Sequence, residues 1–323
     1  MKALSVFSGG LDSMLASELI RAMDIEVQAF FFETPFFLAA KAKESAKSIN
    51  LPIKVIDISD RHLDVVKKPK HGYGGNMNPC IDCHALMFRV AGEMMDDEGA
   101  SFIVTGEVLG QRPMSQNRNS LSVIDSESGF KGLILRPLSA KHLPISIPEE
   151  EGWVERDKLL DFSGRSRKPQ MALAKKLNIE KYPSPAGGCL LTDKTFSRRL
   201  RDLISSNPLF GRREIELLRL GRHFRIGPKT KIIIGRNREE NHAIRLLANG
   251  NDLLLNPESI PGPTVLVAGE MGPETVEMAA VMTVSYSDAR EGEKENVILR
   301  SRGPDRILTA KCRNREDFRH YMV

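Results

Sequence analysis

Short apolar runs alternate with stretches of helical periodicity in the first part of the chain. Residues 2–7, 26–32 and 53–58 form short, mainly apolar segments, which predicts three buried β-strands. Between them, residues 14–23 and 38–49 repeat apolar side chains at the spacing of one helical face. This strand–helix–strand–helix–strand order predicts an α/β fold, with a parallel sheet and helices on both of its faces.

The alternation continues to about residue 140 and is lost in the C-terminal part of the chain. Further strands are predicted at 101–105 and 133–135, and further helices at 85–98 and 170–177. Beyond residue 195, helices are predicted at 196–205, 213–220 and 276–282, and strands at 231–234 and 264–268. We therefore predict two domains, 1–194 with the parallel sheet and 195–323 with a smaller α+β fold.

The residues that follow the first strand read Ser-Gly-Gly-Leu-Asp-Ser, at positions 8–13. A helix is predicted to begin here, and its exposed N–H groups and dipole favour an anion such as phosphate. The two glycines let the backbone approach closely, while Ser8 and Ser13 offer hydroxyl donors. Asp12 would repel a phosphate unless a cation lay between them, so we predict that it binds Mg²⁺ or orients a ligand. Simple helix capping is the alternative, but α/β proteins bind ligands at this edge of the sheet.

Composition and charge argue against a membrane or secreted protein and raise the possibility that the chain binds a polyanion. No run of eighteen apolar residues occurs and the N-terminus lacks the pattern of a signal peptide, so we expect a cytoplasmic protein with no membrane contact. The net charge of +5 is concentrated in residues 198–245, which hold 13 Lys and Arg against 5 Asp and Glu. A solvated helical face is one explanation of this segment, and binding of a polyanion such as RNA is the other.

Four cysteines are too few for a disulfide scaffold in a chain of 323 residues. Cys80 and Cys83, followed by His84, have the spacing of a c-type haem attachment motif. Haem attachment normally requires export, and the sequence lacks the pattern of a signal peptide, so we do not expect haem here. A thioredoxin-like dithiol would need a different strand–helix context, and a zinc site that includes Cys189 would lack a second close pair of ligands. Cys312 stands apart, and we expect it to be buried.

Two functional interpretations of Cys80, Cys83 and Cys189 remain open. Their thiolates could hold three irons of a [4Fe–4S] cluster and leave the fourth iron free to bind sulfide. Alternatively, one cysteine carries a persulfide and another resolves it as a disulfide. Cys83 lies at the start of a predicted helix, and a helix N-terminus lowers the pKa of a thiol, which would favour the nucleophilic thiolate there.

The loop at residues 8–13 resembles the pyrophosphate loop of the PP-loop ATP pyrophosphatases, which split ATP between the α and β phosphates and adenylate a substrate. Further stretches are similar, in the same order, to motifs of the tRNA 4-thiouridine synthases. They are Phe-Phe-Glu-Thr-Pro-Phe-Phe at 31–37, Cys-His-Ala-Leu-Met-Phe-Arg-Val-Ala at 83–91, Thr-Gly-Glu-Val-Leu-Gly-Gln at 105–111, Ser-Gln at 115–116 and Leu-Arg-Pro-Leu at 135–138.

This resemblance implies that ATP and Mg²⁺ bind at the loop and at the ends of neighbouring strands. The implied nucleotide contacts are Val6, Phe7, Ser8, Gly9, Gly10, Asp12, Ser13, Phe31, Phe32, Gly106 and Gln116. His84 departs from the family, whose helix has an arginine at this position. The pattern of Cys80, Cys83 and Cys189 resembles that of iron–sulfur-dependent tRNA thiolases, which implies a catalytic role for these cysteines beside Asp12.

The C-terminal half is similar to the RNA-binding domain of NFACT proteins. The similar stretches are Gly-Arg-Asn at 235–237, Glu-Asn at 240–241, Ile-Pro-Gly-Pro at 260–263 and Tyr-Ser-Asp-Ala at 286–289. The similarity agrees with the excess of positive charge in this half and implies tRNA as a partner.

Together these features predict an ATP-dependent tRNA uridine thiolase, a sulfurtransferase that releases AMP and pyrophosphate. We expect the 4-carbonyl oxygen of a uridine to attack the α-phosphate of ATP, and sulfur from a cysteine desulfurase persulfide or free sulfide to displace AMP. Thiolation at carbon 2 is an alternative on the same scaffold. A PP-loop amidating ligase is a second class, which would need neither the three cysteines nor the basic segment. A non-catalytic RNA-binding protein is a third, against which the intact loop argues.

Overall fold

The computed structural model of the protein describes residues 1–184 and 189–323. These residues form two compact units, the N-terminal unit Met1–Asp193 and the C-terminal unit Lys194–Val323. The Pro- and Gly-rich segment that precedes Cys189 includes positions 185–188, which lie outside the described residues. No helix in the described ranges combines the length and the apolar character needed to cross a bilayer.

The N-terminal unit contains a parallel sheet whose strands lie in the order β3-β2-β1-β4-β5. The strands are β1 (Lys2–Val6), β2 (Glu26–Glu33), β3 (Ile53–Asp57), β4 (Phe102–Thr105) and β5 (Ile134–Leu135). At the centre, Ala3 of β1 pairs with Val27 of β2 and with Phe102 of β4. The parallel α/β arrangement predicted from the sequence is confirmed.

Helices pack on both faces of this sheet, because successive strand residues point to opposite sides. The helices are α1 (Leu11–Arg21), α2 (Ala40–Ser48), α3 (Ser59–Lys67), α4 (Cys80–Glu93), α5 (Met95–Glu98), α6 (Arg118–Ser128), α7 (Ile147–Glu150) and α8 (Lys168–Lys176). On one face Phe31 belongs to the same buried cluster as Leu15 of α1, and on the other Phe30 shares a cluster with Leu86 of α4. Burying one such side chain contributes roughly 1.5–3 kcal/mol.

The C-terminal unit is built on an antiparallel sheet with the strand order β11-β10-β8-β9-β7-β6. Its strands are β6 (Arg222–Gly227), β7 (Thr230–Ile234), β8 (Leu253–Pro257), β9 (Val265–Ala268), β10 (Lys294–Arg300) and β11 (Arg306–Lys311). Its helices are α9 (Lys194–Ser206), α10 (Arg212–Leu218), α11 (Arg238–Leu247) and α12 (Pro273–Ser285). Ile232 and Ile234 of β7 share a cluster with Met282 of α12, whereas Ile233 faces Ile244 of α11. The predicted smaller α+β fold is confirmed.

The structure corrects several predicted elements. The helix predicted at 85–98 begins at Cys80 and ends at Glu93, so Cys80 and Cys83 belong to the first turn of α4. Helix α6 was not predicted, because Leu121 and Ile124 are its only buried apolar residues and give a weak periodic signal. The helices α3, α7 and α11 and the strands β6, β8, β10 and β11 were also missed.

Candidate active site

The loop at residues 8–13 lies where the strand order of the parallel sheet reverses. The chain passes from β1 outward to β2 and β3 on one side, whereas β4 and β5 lie on the other side. In open α/β sheets the crevice beyond the carboxyl ends of the strands at this switch point is the usual ligand site. The loop after β1 and Gly106 after β4 both border that crevice.

Two glycines allow the chain to pack closely around the loop. Gly9 has φ of +76°, and a Cβ there would lie 2.6 Å from Cα of Ala42 in α2. A Cβ on Gly106 would lie 2.5 Å from the carbonyl carbon of Asp12. Larger residues at either position would therefore push the loop out of place.

The hydroxyl groups of the loop bond within the loop itself. The Oγ of Ser13 donates to the carbonyl oxygen of Gly10 at 2.8 Å, and the backbone N–H of Gly10 donates to Oγ of Ser8 at 3.3 Å. Gly10 is the N-cap of α1 and lacks a side chain that could cap it. The first turn of α1 therefore begins within this loop, with the dipole end that favours an anion.

Asp12 presents one carboxylate oxygen to a protein donor and leaves the other without one. Nε2 of Gln111 donates to Oδ2 at 3.0 Å, whereas Oδ1 is buried and accepts no hydrogen bond from the described residues. Burial raises the pKa of Asp12, and Gln111, Arg167, Arg112 and Gln170 oppose this shift, although the geometry gives Gln170 no hydrogen bond to Oδ1. A buried carboxylate oxygen without a donor is costly unless a cation or ligand binds it, so the residue fits a Mg²⁺ ligand.

A buried charge network lies behind the same edge of the sheet. Glu107 accepts from Nε of Arg136 at 2.9 Å, and its other oxygen lies 2.6 Å from Nδ1 of His84. Arg136 also forms a two-bond pair with Asp125. Burial alone would raise the pKa of Glu107, but Arg136 and then His84 outweigh it and hold that pKa below its usual value. The network fixes the backbone that follows β4.

The cysteine site is built on the first turn of α4. Cys83 is buried, and its Sγ lies 3.0 Å from Nε2 of His62 on α3. Cys80 is partly exposed and accepts a hydrogen bond from Nδ2 of Asn78 at 3.1 Å. Cys189 interacts electrostatically with both other thiols. The three cysteines grouped from their sequence pattern therefore lie close enough to interact electrostatically.

The electrostatics of these groups correct one expectation. Burial, followed by the proximity of Cys189 and Cys80, raises the pKa of Cys83 well above its usual value. The predicted lowering of this pKa by the helix N-terminus is therefore wrong, because desolvation of the thiolate outweighs the dipole. Burial likewise raises the pKa of Cys189 to about 11, and burial lowers that of His62 to about 4. All three groups are neutral near pH 7.

The donor set of the cysteine site is compatible with an iron–sulfur cluster, because its ligand candidates are thiols. In the described ranges, no three His, Cys, Asp or Glu side chains are arranged to hold one metal ion. A cluster of four irons and four sulfides is larger than one ion, so the thiolates that bind its corners stand farther apart. Three cysteine thiols close enough to interact electrostatically are the type of donor that such a cluster requires.

The aromatic residues assigned to the nucleotide site are core residues. Phe7, Phe31 and Phe32 expose only 2%, 7% and 3% of their surface, and so leave no ring face for an adenine to stack on. Contacts from these positions to a nucleotide would come from the backbone. Val6 is only partly buried, and Gln116 is buried with an Oε1 atom that has no partner in the described residues. The nucleotide contacts remain predictions.

Several residues that surround the site were not singled out from the sequence. His62 and Asn78 touch the cysteines, and Gln111, Arg112 and Arg167 surround Asp12. Gln111 belongs to the stretch at 105–111 that resembles the 4-thiouridine synthases, so that similarity was an available signal. His62 and Arg167 lie outside every motif, and only the fold brings them to the site.

Comparison with known proteins matches the two ends of the chain to two families. Residues 1–143 match the family model described as thiamine biosynthesis protein (ThiI), and residues 221–322 match that of the NFACT protein RNA binding domain. A probable tRNA sulfurtransferase from Lysinibacillus sphaericus is 30% identical over 165 residues, which cover 48% of this chain and 39% of that protein. A tRNA sulfurtransferase from Desulfurococcus amylolyticus is 29% identical over 175 residues, with coverage of 51% and 34%.

A solved 4-thiouridine synthetase–RNA complex with bound ATP is 20% identical, with a TM-score of 0.37 and coverage of 55% of this chain and 51% of that one. So low a score adds nothing to the sequence matches. The chain spans little more than a third of the length of the curated relatives named above. The resemblances of the N-terminal part to 4-thiouridine synthases and of the C-terminal half to NFACT proteins are confirmed at the level of domains: residues 1–143 match the ThiI model and residues 221–322 match the NFACT model.

Proposed function

We propose that this protein is an ATP-dependent tRNA sulfurtransferase that converts a uridine to 4-thiouridine. The observation that carries the proposal is that one short segment, residues 111–116, contacts both the phosphate loop and the cysteine site. Gln111, at its start, donates to the carboxylate of Asp12. Met114, further along, has its sulfur 3.6 Å from Nδ2 of Asn78.

The same amide nitrogen of Asn78 donates to Sγ of Cys80 at 3.1 Å. Asn78 therefore lies between Met114 and the thiol of Cys80 and contacts both. Arg112 interacts electrostatically with Asp12 and with Cys189. A group that activates a substrate and a group that delivers sulfur must act in turn on the same carbonyl group, the first at its oxygen and the second at its carbon. The shared segment supports one site for both steps.

In the first step, the 4-carbonyl oxygen of the uridine attacks the α-phosphorus of ATP. An oxygen–phosphorus bond forms, and the bond to pyrophosphate breaks. The first-turn N–H groups of α1 and the hydroxyls of Ser8 and Ser13 would stabilise the charge that develops on the phosphates. Asp12 would hold Mg²⁺ through its free Oδ1. The guanidinium of Arg112 would stabilise the negative charge of the pyrophosphate as it leaves.

In the second step, a sulfur nucleophile attacks the activated carbon, and AMP leaves with the former carbonyl oxygen. Cys80, Cys83 and Cys189 would hold a [4Fe–4S] cluster, which when bound supplies an iron site for free sulfide. The raised pKa values of Cys83 and Cys189 favour this role over a persulfide carrier. A carrier needs a thiolate near neutral pH, whereas ligation to a metal releases the thiol proton whatever its pKa in the free protein.

The C-terminal unit would bind the tRNA. Its match to an RNA-binding domain and its excess of positive charge support this role. Contacts to backbone phosphates position an RNA without reading its sequence, so this unit would supply affinity while the N-terminal unit selects the uridine.

The test is formation of 4-thiouridine in tRNA incubated anaerobically with the protein, ATP, Mg²⁺ and sulfide, read by mass spectrometry of the nucleosides. Cys189→Ser and Asp12→Asn should reduce the product at least a hundredfold. Cys312→Ser is the matched control, because Cys312 is buried in the C-terminal unit and should leave the product unchanged. A Cys189→Ser protein with full activity would contradict the proposal, as would 2-thiouridine as the sole product.

A further inference from the structure

A cavity of about 520 Å³ opens on the C-terminal unit and is lined by arginines from distant parts of the chain. The lining includes Arg222, Arg236, Arg238, Arg245, Arg315 and Tyr286, which we call the arginine pocket. Arg222 begins β6, and Arg236 and Arg238 flank the start of α11. The fold gathers these charges from segments that are far apart in sequence.

The ring of Tyr286 contacts two arginines of the arginine pocket and two buried phenylalanines. The guanidinium carbons of Arg222 and Arg315 lie 5.4 Å and 5.3 Å from its ring centroid. Behind them, Phe224 and Phe318 contact the same ring, with centroids at 5.8 Å and 6.4 Å. A guanidinium on an aromatic ring is held in place by the cation–π attraction and presents a flat surface for stacking.

Most of the positive charge in the pocket is not neutralised. Arg315 donates to the carbonyl oxygen of Ser285 at 2.8 Å, and Arg245 donates to the hydroxyl of Thr264 at 2.7 Å, so both are fixed by neutral partners. Arg236 pairs with Glu240. In the part of the chain that the structure describes, neither Arg222 nor Arg238 pairs with a carboxylate, although Asp288 lies in the lining.

The arginine pocket is concave and positively charged, so an anionic group that enters it would be bound favourably. Guanidinium groups bind phosphate through paired hydrogen bonds, and the start of α11 adds the positive end of a helix dipole. The volume lies in the range of pockets that hold whole small molecules rather than a lone phosphate. Phosphates of a duplex lie along a ridge, whereas an unpaired nucleotide can swing out into a cavity and stack on a guanidinium or aromatic plane.

We propose that the arginine pocket binds one unpaired nucleotide of the tRNA, with its phosphate among the arginines and its base against the Arg222–Tyr286 pair. The proposal deepens the function proposed above and rests on it for the identity of the RNA. It makes the C-terminal unit a reader of unpaired RNA rather than a general basic surface.

The test measures equilibrium binding of the full-length protein to a five-nucleotide single-stranded RNA, a blunt-ended RNA duplex and tRNA. Arg222→Gln and Arg238→Gln should each weaken binding of the single strand and of tRNA about tenfold or more, which is typical of a lost charged hydrogen bond, and should reduce the salt slope by about one. Arg306→Gln makes the same charge change on an exposed position of β11 and should alter all three affinities less than threefold.

Each outcome separates the two proposals. Equal losses for duplex and single strand would overturn the inference, because the pocket would then be part of a general phosphate surface. Wild-type affinity of both Arg222→Gln and Arg238→Gln for the single strand and for tRNA, in a protein that forms thiouridine normally, would also overturn the inference. Selective loss of single-strand binding in a protein that forms no thiouridine would support the pocket and contradict the proposed function alone.

Discussion

Nε2 of His62 lies 3.0 Å from Sγ of Cys83, and both side chains are buried between α3 and α4. Burial raises the pKa of the thiol and lowers that of the imidazole to about 4, so the two groups form a neutral pair at pH 7. A pair of this kind holds Cys83 in place without activating it. Binding of a positively charged partner such as a metal would be needed to ionise this thiol near neutral pH.

Alkylation of Cys189 in chelator-treated protein should reveal its raised pKa. Burial disfavours the thiolate, so the rate with iodoacetamide should rise about tenfold per pH unit up to at least pH 10. In the same protein unfolded in denaturant the rate should level off near the ordinary pKa of 9.0. Peptide mass spectrometry gives the rates, and a folded protein whose Cys189 rate levels off below pH 8 would contradict this account.

His62 should make the metal-free N-terminal unit sensitive to acid. The unfolded chain binds a proton at this residue near pH 6.5, whereas the folded chain does so only near pH 4, so stability is lost as the pH falls between these values. The full loss is about 3 kcal/mol, from 1.36 kcal/mol per pKa unit. His62→Gln should remove most of this dependence.

The only tryptophan makes that measurement specific. Trp153 belongs to the N-terminal unit and packs near Phe102, so its fluorescence reports the unfolding of this unit. Urea unfolding at pH 7 and at pH 4.5 gives the comparison. His320→Gln, at an exposed position of the C-terminal unit, is the control and should behave as the wild type. An unchanged pH dependence in His62→Gln would show that His62 is not the group responsible.

Gly106→Ala should disrupt the phosphate loop. The new Cβ would lie 2.5 Å from the carbonyl carbon of Asp12, and relief of this overlap must move backbone rather than a flexible side chain. We expect a loss of about 1–3 kcal/mol of stability and a much larger loss of pyrophosphate release from ATP. Gly75→Ala is the control, because no atom lies within 4 Å of the added Cβ. Normal pyrophosphate release by Gly106→Ala would show that the loop does not need this close approach.

Glu107→Gln should destabilise the N-terminal unit by about 3 kcal/mol, because it removes one partner of the buried Arg136. Glu93→Gln is the matched change at a partly exposed pair with Arg61 and should cost less than about 1 kcal/mol. Urea unfolding followed by Trp153 fluorescence tests both. Equal effects of the two substitutions would mean that the charge of Glu107 is better solvated than its burial implies.

The sequence predicted the parallel sheet and the loop at residues 8–13 because both depend on local patterns. Short apolar runs and a Gly-Gly turn are visible within ten residues of one another. The grouping of Cys189 with Cys80 and Cys83 came from residue type and family similarity. The raised pKa of Cys83 was not predictable, because it depends on α3 and α4 packing around the thiol.

Parts of the C-terminal unit could not be predicted from local sequence patterns. Strand β11 exposes most of its side chains and is held by pairing with β10, so its sequence has no buried face to detect. The arginine pocket could not be found as a motif either, because Arg222, Arg238 and Arg315 meet only after β6, α11 and the 3₁₀ helix Arg315–Tyr321 have folded together. The charge count indicated a polyanion but not where it binds.

One isotope measurement tests the central claim most directly. A tRNA transcript that carries ¹⁸O at the 4-carbonyl of its uridines is incubated with the protein, ATP, Mg²⁺ and sulfide, and the AMP is analysed by mass spectrometry. If the uridine oxygen attacks the α-phosphate, each AMP gains one ¹⁸O and forms in equal amount to 4-thiouridine. AMP without the label would contradict the account, because ATP would then be cleaved without activation of the uridine carbonyl.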